Sequence, residues 1–225
     1  MTGRRPWLMV VSDRRRLCAA SGRTPAAADA LLERQVLAAA AAGVAAFQLR
    51  EPDLDGAALL TLAQRLRGAA GPALHLLVNE RADVAAAAGA GVHLRSRSVP
   101  APRLRAWLTQ PIWMSRAVHG VGELADAAAV DLVVAGTVRA TASKPGQAAV
   151  LGLDGLAAIA AASPVPVIGI GGLDADDWPT LRAAGAVGFA AIGAFLPRSG
   201  ETVADAVGRV VAAVGGVVDS TGRRF

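Results

Sequence analysis

Val-Pro-Val-Ile-Gly-Ile-Gly-Gly-Leu-Asp at residues 165–174 is answered at 187–194 by Val-Gly-Phe-Ala-Ala-Ile-Gly-Ala. Each stretch is a short apolar run that ends in glycine and leads towards a helical window. The runs are too short for helices, and they are continuously apolar where a half-exposed strand would alternate. That is the pattern of a strand covered on both faces, as in a parallel sheet.

Working outward, six further runs of the same kind stand at 7–11, 44–49, 74–78, 91–94, 112–114 and 132–135. Between them lie windows with apolar residues at three- and four-residue spacing, including 26–41, 56–66, 101–108 and 178–184. Eight strands, each followed by a helical segment, predict an α/β fold: a single (β/α)8 TIM barrel over residues 1–214. The last helix, at 203–214, packs outside it, and 215–225 reads as a C-terminal tail. An open doubly wound sheet shares the βα alternation. The even run of eight repeats, with no Pro/Gly/Ser-rich linker, favours closure.

Composition narrows the function classes. The chain has 225 residues, 53% of them hydrophobic, yet no stretch reaches the roughly 18–20 uninterrupted apolar residues of a membrane helix. The basic start and short apolar run at 1–11 resemble half a signal peptide, but Ser12, Asp13 and three arginines follow at once, so a first strand is the better reading. Cys18 is the one cysteine, so no internal disulfide and no cysteine zinc site can form, and a reducing cytoplasmic setting is expected. The net charge of +5 is carried almost wholly by scattered arginines, and tyrosine is absent, so nucleic acid is not the expected partner. Alanine-rich helices would allow close packing in a homodimer.

In a TIM barrel the chemistry sits at the C-terminal ends of the strands. At the ends of strands seven and eight, Gly171, Gly172, Ile192 and Gly193 offer backbone N–H groups to a phosphate. The same glycines could simply make tight turns; two such ends side by side favour the phosphate. The Gly169–Gly172 stretch is not a dinucleotide fingerprint, because that motif follows a first strand and needs a further acidic residue downstream. The loop after strand six carries Thr141, Ser143 and Lys144, the last being the only lysine in the chain. A compact ammonium can meet one oxygen as a point charge, as a guanidinium cannot.

His119 lies just past strand five, where an imidazole could accept and donate a proton. His75 and His93 fall inside strands and read as hydrogen-bonded core residues. Alternation puts Gln48 and Arg50 on one side of strand two, and strand three ends in Asn79 and Glu80. Polar groups facing a barrel interior are costly unless they meet a ligand or each other. Arg14-Arg15-Arg16, after strand one, read either as a solvated run or as contacts to an anionic substrate.

Taken in order, several stretches resemble the thiamin phosphate synthase/TenI superfamily. They are Gln48-Leu49-Arg50-Glu51, Asn79-Glu80-Arg81-Ala82-Asp83, Gly91-Val92-His93-Leu94, Thr141-x-Ser143-Lys144, Gly169-Ile170-Gly171-Gly172 and Ala184-Gly185-Ala186. No single motif is specific; the ordered set is. The resemblance implies a phosphate-binding barrel of thiamin biosynthesis whose partner is a small phosphorylated thiazole. One activity of the superfamily joins a pyrimidine diphosphate to a thiazole phosphate with magnesium. The other, a thiazole tautomerase, moves a proton with a histidine and no metal.

Departures from the synthase pattern weigh between the two. Pro52 stands where synthases carry a lysine, Glu80 where they carry a magnesium-binding aspartate, and Ser98 at the position matching a second such aspartate. Arg116-Ala117-Val118-His119 is similar to the Arg-Ser-Val-His of TenI proteins. The expectation is therefore a cofactor-free tautomerase with His119 as acid/base. Arg50, positioned by Gln48, would meet the substrate carboxylate, and Gly172, Gly193 and Lys144 would hold the phosphate. The alternatives are a synthase, which would need magnesium with Glu80 as its metal ligand, and a non-catalytic barrel that binds a thiazole or thiamin phosphate.

Overall fold

The computed structural model describes residues 6–140 and 150–215. Eight parallel strands close into one barrel: β1 (Trp7–Val11), β2 (Ala46–Leu49), β3 (His75–Asn79), β4 (Gly91–Leu94), β5 (Met114–Val118), β6 (Leu132–Gly136), β7 (Val167–Ile170) and β8 (Gly188–Ala191). β1 pairs with both β2 and β8, so no strand edge is left unpaired. Around it stand α1 (Arg14–Ala20), α2 (Ala28–Ala41), α3 (Gly56–Ala70), α4 (Ala82–Ala87), α5 (Ala101–Trp107), α6 (Gly152–Ala162), α7 (Trp178–Ala183) and α8 (Val203–Gly215). The barrel is thus as the sequence predicts. The tail beyond Gly215 lies outside the described residues.

Strand alternation divides the core in two. Met9, Val11, Ala46, Leu77, Leu132, Val134, Ile168 and Ala190 fill the barrel interior. The intervening residues, such as Leu8, Val10, Phe47, Leu49, Leu76, Val78 and Phe189, pack outward into the layer between strands and helices. Alanine-rich helices suit that outer layer because small side chains let helices lie close to a curved sheet. Helix starts are capped as polar chemistry requires: Asp13 accepts from the Arg16 amide for α1, and Asp55 from the Ala58 amide for α3.

Three elements go beyond the sequence reading. The arginine run at 14–16 opens the helix α1. Residues 82–87 form α4, too short for periodicity to reveal. Strand five starts at Met114 and reaches Val118, where the sequence suggests 112–114, because Ser115 and Arg116 break its apolar run. Both are buried and hydrogen-bonded, so they are strand residues in spite of their polarity.

At the N-terminal end of the barrel, Trp7, His75 and Trp113 stack with ring centroids 5.0–5.8 Å apart. Trp7 and Trp113 also pack on the interior cluster, so this end is plugged by aromatic rings. His75, expected as a core residue, is exposed in this stack.

Candidate functional site

The opposite end, at the carboxyl ends of the strands, is where the polar residues gather. The lining of this mouth is two-sided. From β2 to β5 the inward positions are polar: Gln48, Asn79, His93 and Ser115. Gln48 donates from Nε2 to Asn79 Oδ1 at 3.0 Å, and His93 Nδ1 lies 2.8 Å from Ser115 Oγ. From β6 through β8 to β1 they are apolar: Val134, Ile168, Ile170, Ile192 and Val11. A flat ring with one polar edge and one apolar face fits such a mouth.

The polar arc is not fully satisfied from within. Gln48 is 3% exposed, and its Oε1 is buried with no hydrogen-bond partner among the described residues. A buried acceptor left unpaired is costly, which makes this atom a natural receiver for a ligand's N–H. His93, also buried, has its pKa lowered to about 4, chiefly because burial disfavours the imidazolium, with Arg50 adding in the same direction and Glu80 opposing. It is neutral at pH 7, and it lies within the fields of both Arg50 and Glu80.

Arg50 follows β2, where its amide donates to Ser12 Oγ at 2.8 Å. With Asp13, Arg15, Glu51, Pro52 and Asp53 it lines a small cleft of about 170 Å³ at the rim. Sequence reasoning missed what holds this rim. Glu51 is buried, accepting from Ser12 Oγ at 2.6 Å and from the Arg14 amide at 3.1 Å. Burial pushes its carboxyl above the usual range, against the pull of those two donors. Arg14 and Arg15 both reach Asp53 at 2.8 Å, so they are not merely solvated. The signal, acidic residues that follow the neighbouring strand, cannot be seen along one strand.

Arg16 takes the other direction: a Cβ added to Gly193 would stand 3.6 Å from its Nη2. At the neighbouring strand end, Gly171 and Gly172 have φ of 107° and 61°, and an added Cβ would come within 2.5 Å of Thr137 Cγ2 and of the Ala140 carbonyl. Only glycine fits there. The Val138 and Arg139 amides donate to the Ile170 and Gly171 carbonyls, so the loops after β6 and β7 are laced together. Thr141, Ser143 and Lys144 lie outside the described residues.

Two expected residues are turned onto protein partners. His119, half exposed beyond β5, receives Glu123: its amide donates to Oε2 at 2.8 Å, and Nδ1 lies 3.2 Å from the same oxygen. Glu80 is the second. It has φ of 67°, and its carboxylate accepts from the Arg95 amide at 3.1 Å, from the Arg95 guanidinium and from the Ser98 hydroxyl. These donors outweigh partial burial and hold its pKa down to about 2.

Magnesium does not fit this donor set. Both oxygens of Glu80 are committed, Ser98 gives its proton to the carboxylate, and Arg95 puts a positive charge where the cation would stand. Among the described residues, no group of three or more His, Cys, Asp or Glu side chains could hold a metal ion. No helix among them is long and apolar enough to cross a membrane.

The architecture is thus that of a (β/α)8 barrel with a half-polar mouth fringed by arginine and glycine. The family model described as thiamine monophosphate synthase matches residues 17–195, and the chain belongs to that family of thiamin biosynthesis. A thiamine-phosphate synthase from Azorhizobium caulinodans is 37% identical over 170 residues, covering 74% of this chain and 80% of that protein. One from Moorella thermoacetica is 34% identical over 165 residues, covering 72% and 79%. The thiamine phosphate pyrophosphorylase from Pyrococcus furiosus superposes with a TM-score of 0.74 at 25% identity, covering 92% of this chain and 94% of its own.

These relatives overturn the tautomerase expectation, because proteins similar over most of the chain carry the transferase's name. The departures at Pro52, Glu80 and Ser98 touch the metal and diphosphate side of the mouth, at the ends of β2 to β4, and leave the glycine ends of β7 and β8 in place.

Proposed function

We propose that this barrel makes thiamin phosphate by joining a pyrimidine diphosphate to a thiazole phosphate. The observation that carries the reading is the buried Gln48 Oε1 at the polar edge of the mouth, unpartnered among the described residues. An amino group on a pyrimidine ring would donate to it, while the apolar arc from β6 to β1 takes a ring face. The names of the relatives support the same reaction.

The joining step forms a bond between the thiazole nitrogen and the pyrimidine's methylene carbon. It breaks that carbon's bond to the diphosphate oxygen, so pyrophosphate leaves with the electron pair. Arg50, at the polar rim, would bind the diphosphate through charge-assisted hydrogen bonds. Gly171, Gly172, Ile192 and Gly193, with Thr141, Ser143 and Lys144, would hold the thiazole's phosphate. His119 would be a contact at the rim.

The test is incubation with both precursors, with and without magnesium, and detection of thiamin phosphate. Formation at enzymic rates is the expected result; its absence with both precursors bound would refute the reading. The engagement of Glu80 by Arg95 and Ser98 favours one second reading, a non-catalytic barrel that binds a thiazole or thiamin phosphate. That reading predicts ligand affinity without turnover.

A further inference from the structure

We propose that Arg95 replaces the divalent cation at the end of β4, so that a diphosphate binds this barrel through guanidinium groups with no metal ion. The inference takes the nature of the ligand from the synthase reading; the charge arrangement stands on the structure alone.

Three observations carry it. The first is that Glu80 has its charge used within the protein by Arg95 and Ser98, and Asp83, which shares its cleft, is paired with Arg81. The second is that Arg95 sits on a loop held in place from below. Arg116, 6% exposed on β5, donates to the Ser96 carbonyl at 2.9 Å and to the Val99 carbonyl at 3.3 Å. A cation entering at Glu80 would have to displace a pinned loop as well as an ion pair.

The third is exposure. The Arg95 side chain is 70% exposed although it is paired with Glu80. A guanidinium has five N–H donors in a planar fork, so pairing at one edge leaves donors for an anion. Glu80 then acts as the positioning residue for Arg95. Arg97 stands exposed on the same loop, and the charges of Arg50 and Glu80 both act on His93. This corner therefore attracts an anion and repels magnesium.

Calorimetric titration of inorganic pyrophosphate into the full chain, in EDTA and then in excess magnesium, tests the proposal. Binding in EDTA is expected, weakened about tenfold or more by Arg95→Ala and partly kept by Arg95→Lys, as loss of a charge-assisted contact implies. Arg95→Gln, which retains a hydrogen-bonding arm without charge, serves if Arg95→Ala fails to fold. Manganese titration followed by electron paramagnetic resonance should detect no bound ion.

Pyrophosphate binding that requires magnesium, or that neither neutral variant weakens, overturns the proposal. So does a manganese site lost in Glu80→Gln, or no pyrophosphate binding in either buffer. Thiamin phosphate formed only with magnesium leaves the synthase reading standing and removes this one. Arg95-dependent binding in EDTA without product formation does the reverse.

Discussion

The carboxylate of Glu80 accepts from both the backbone amide and the guanidinium of Arg95, fifteen residues further along the chain. A residue at the end of β3 thereby fixes the loop that leaves β4. The strands deliver these two groups side by side because Asn79 is in register with His93.

Stability should depend on this pair in acid. The Glu80 pKa falls from 4.5 to about 2 on folding, so its contribution is complete above pH 4.5 and is lost as pH falls towards 2. Thermal melts of the wild type and Glu80→Gln should therefore differ most near neutrality and converge below pH 4.5. A constant difference across that range would contradict the assignment.

His93 should act in a higher window. Its pKa drops from 6.5 to about 4, so the stability of the neutral buried ring is present above pH 6.5 and is lost as pH falls through 4. His93→Gln has no such titration. Its melting temperature should fall less steeply than the wild type's between pH 6.5 and 4, as differential scanning calorimetry would reveal.

The two glycine ends should respond differently to a methyl group. Gly172→Ala meets a carbonyl at 2.5 Å with positive φ, and is expected to cost about 1–3 kcal/mol of stability in denaturant titration. Among the described residues Gly193→Ala meets only Arg16 Nη2, at 3.6 Å, and should leave stability within about 0.5 kcal/mol of wild type. Its expected effect is on thiazole phosphate affinity, measured by calorimetry.

His119→Ala distinguishes the joining reaction from proton-transfer chemistry. Bond formation by the thiazole nitrogen's lone pair needs no proton at that nitrogen, and His119 already faces Glu123. Thiamin phosphate formation should fall less than about tenfold. A loss of about 10²–10⁴-fold, the range of a general acid or base, would give the imidazole a chemical role.

The sequence by itself determined the barrel and its family. Apolar runs such as those before Gly171 and Gly193 are local patterns, set by the need to cover a parallel strand on both faces, and they read directly from residue order. Gln48 and Asn79 were legible as inward polar residues for the same reason, since alternation along a strand is local. What only the tertiary structure decided is which charges meet. Glu80 with Arg95, Glu51 with Ser12 and His93 with Ser115 are pairings across neighbouring strands, set by barrel register and by burial. Coulombic and hydrogen-bond energies fall away within a few ångströms, so they depend on distances that residue order leaves undefined. The substitution at Glu80 is visible in the sequence; its capture by Arg95 is a property of the fold.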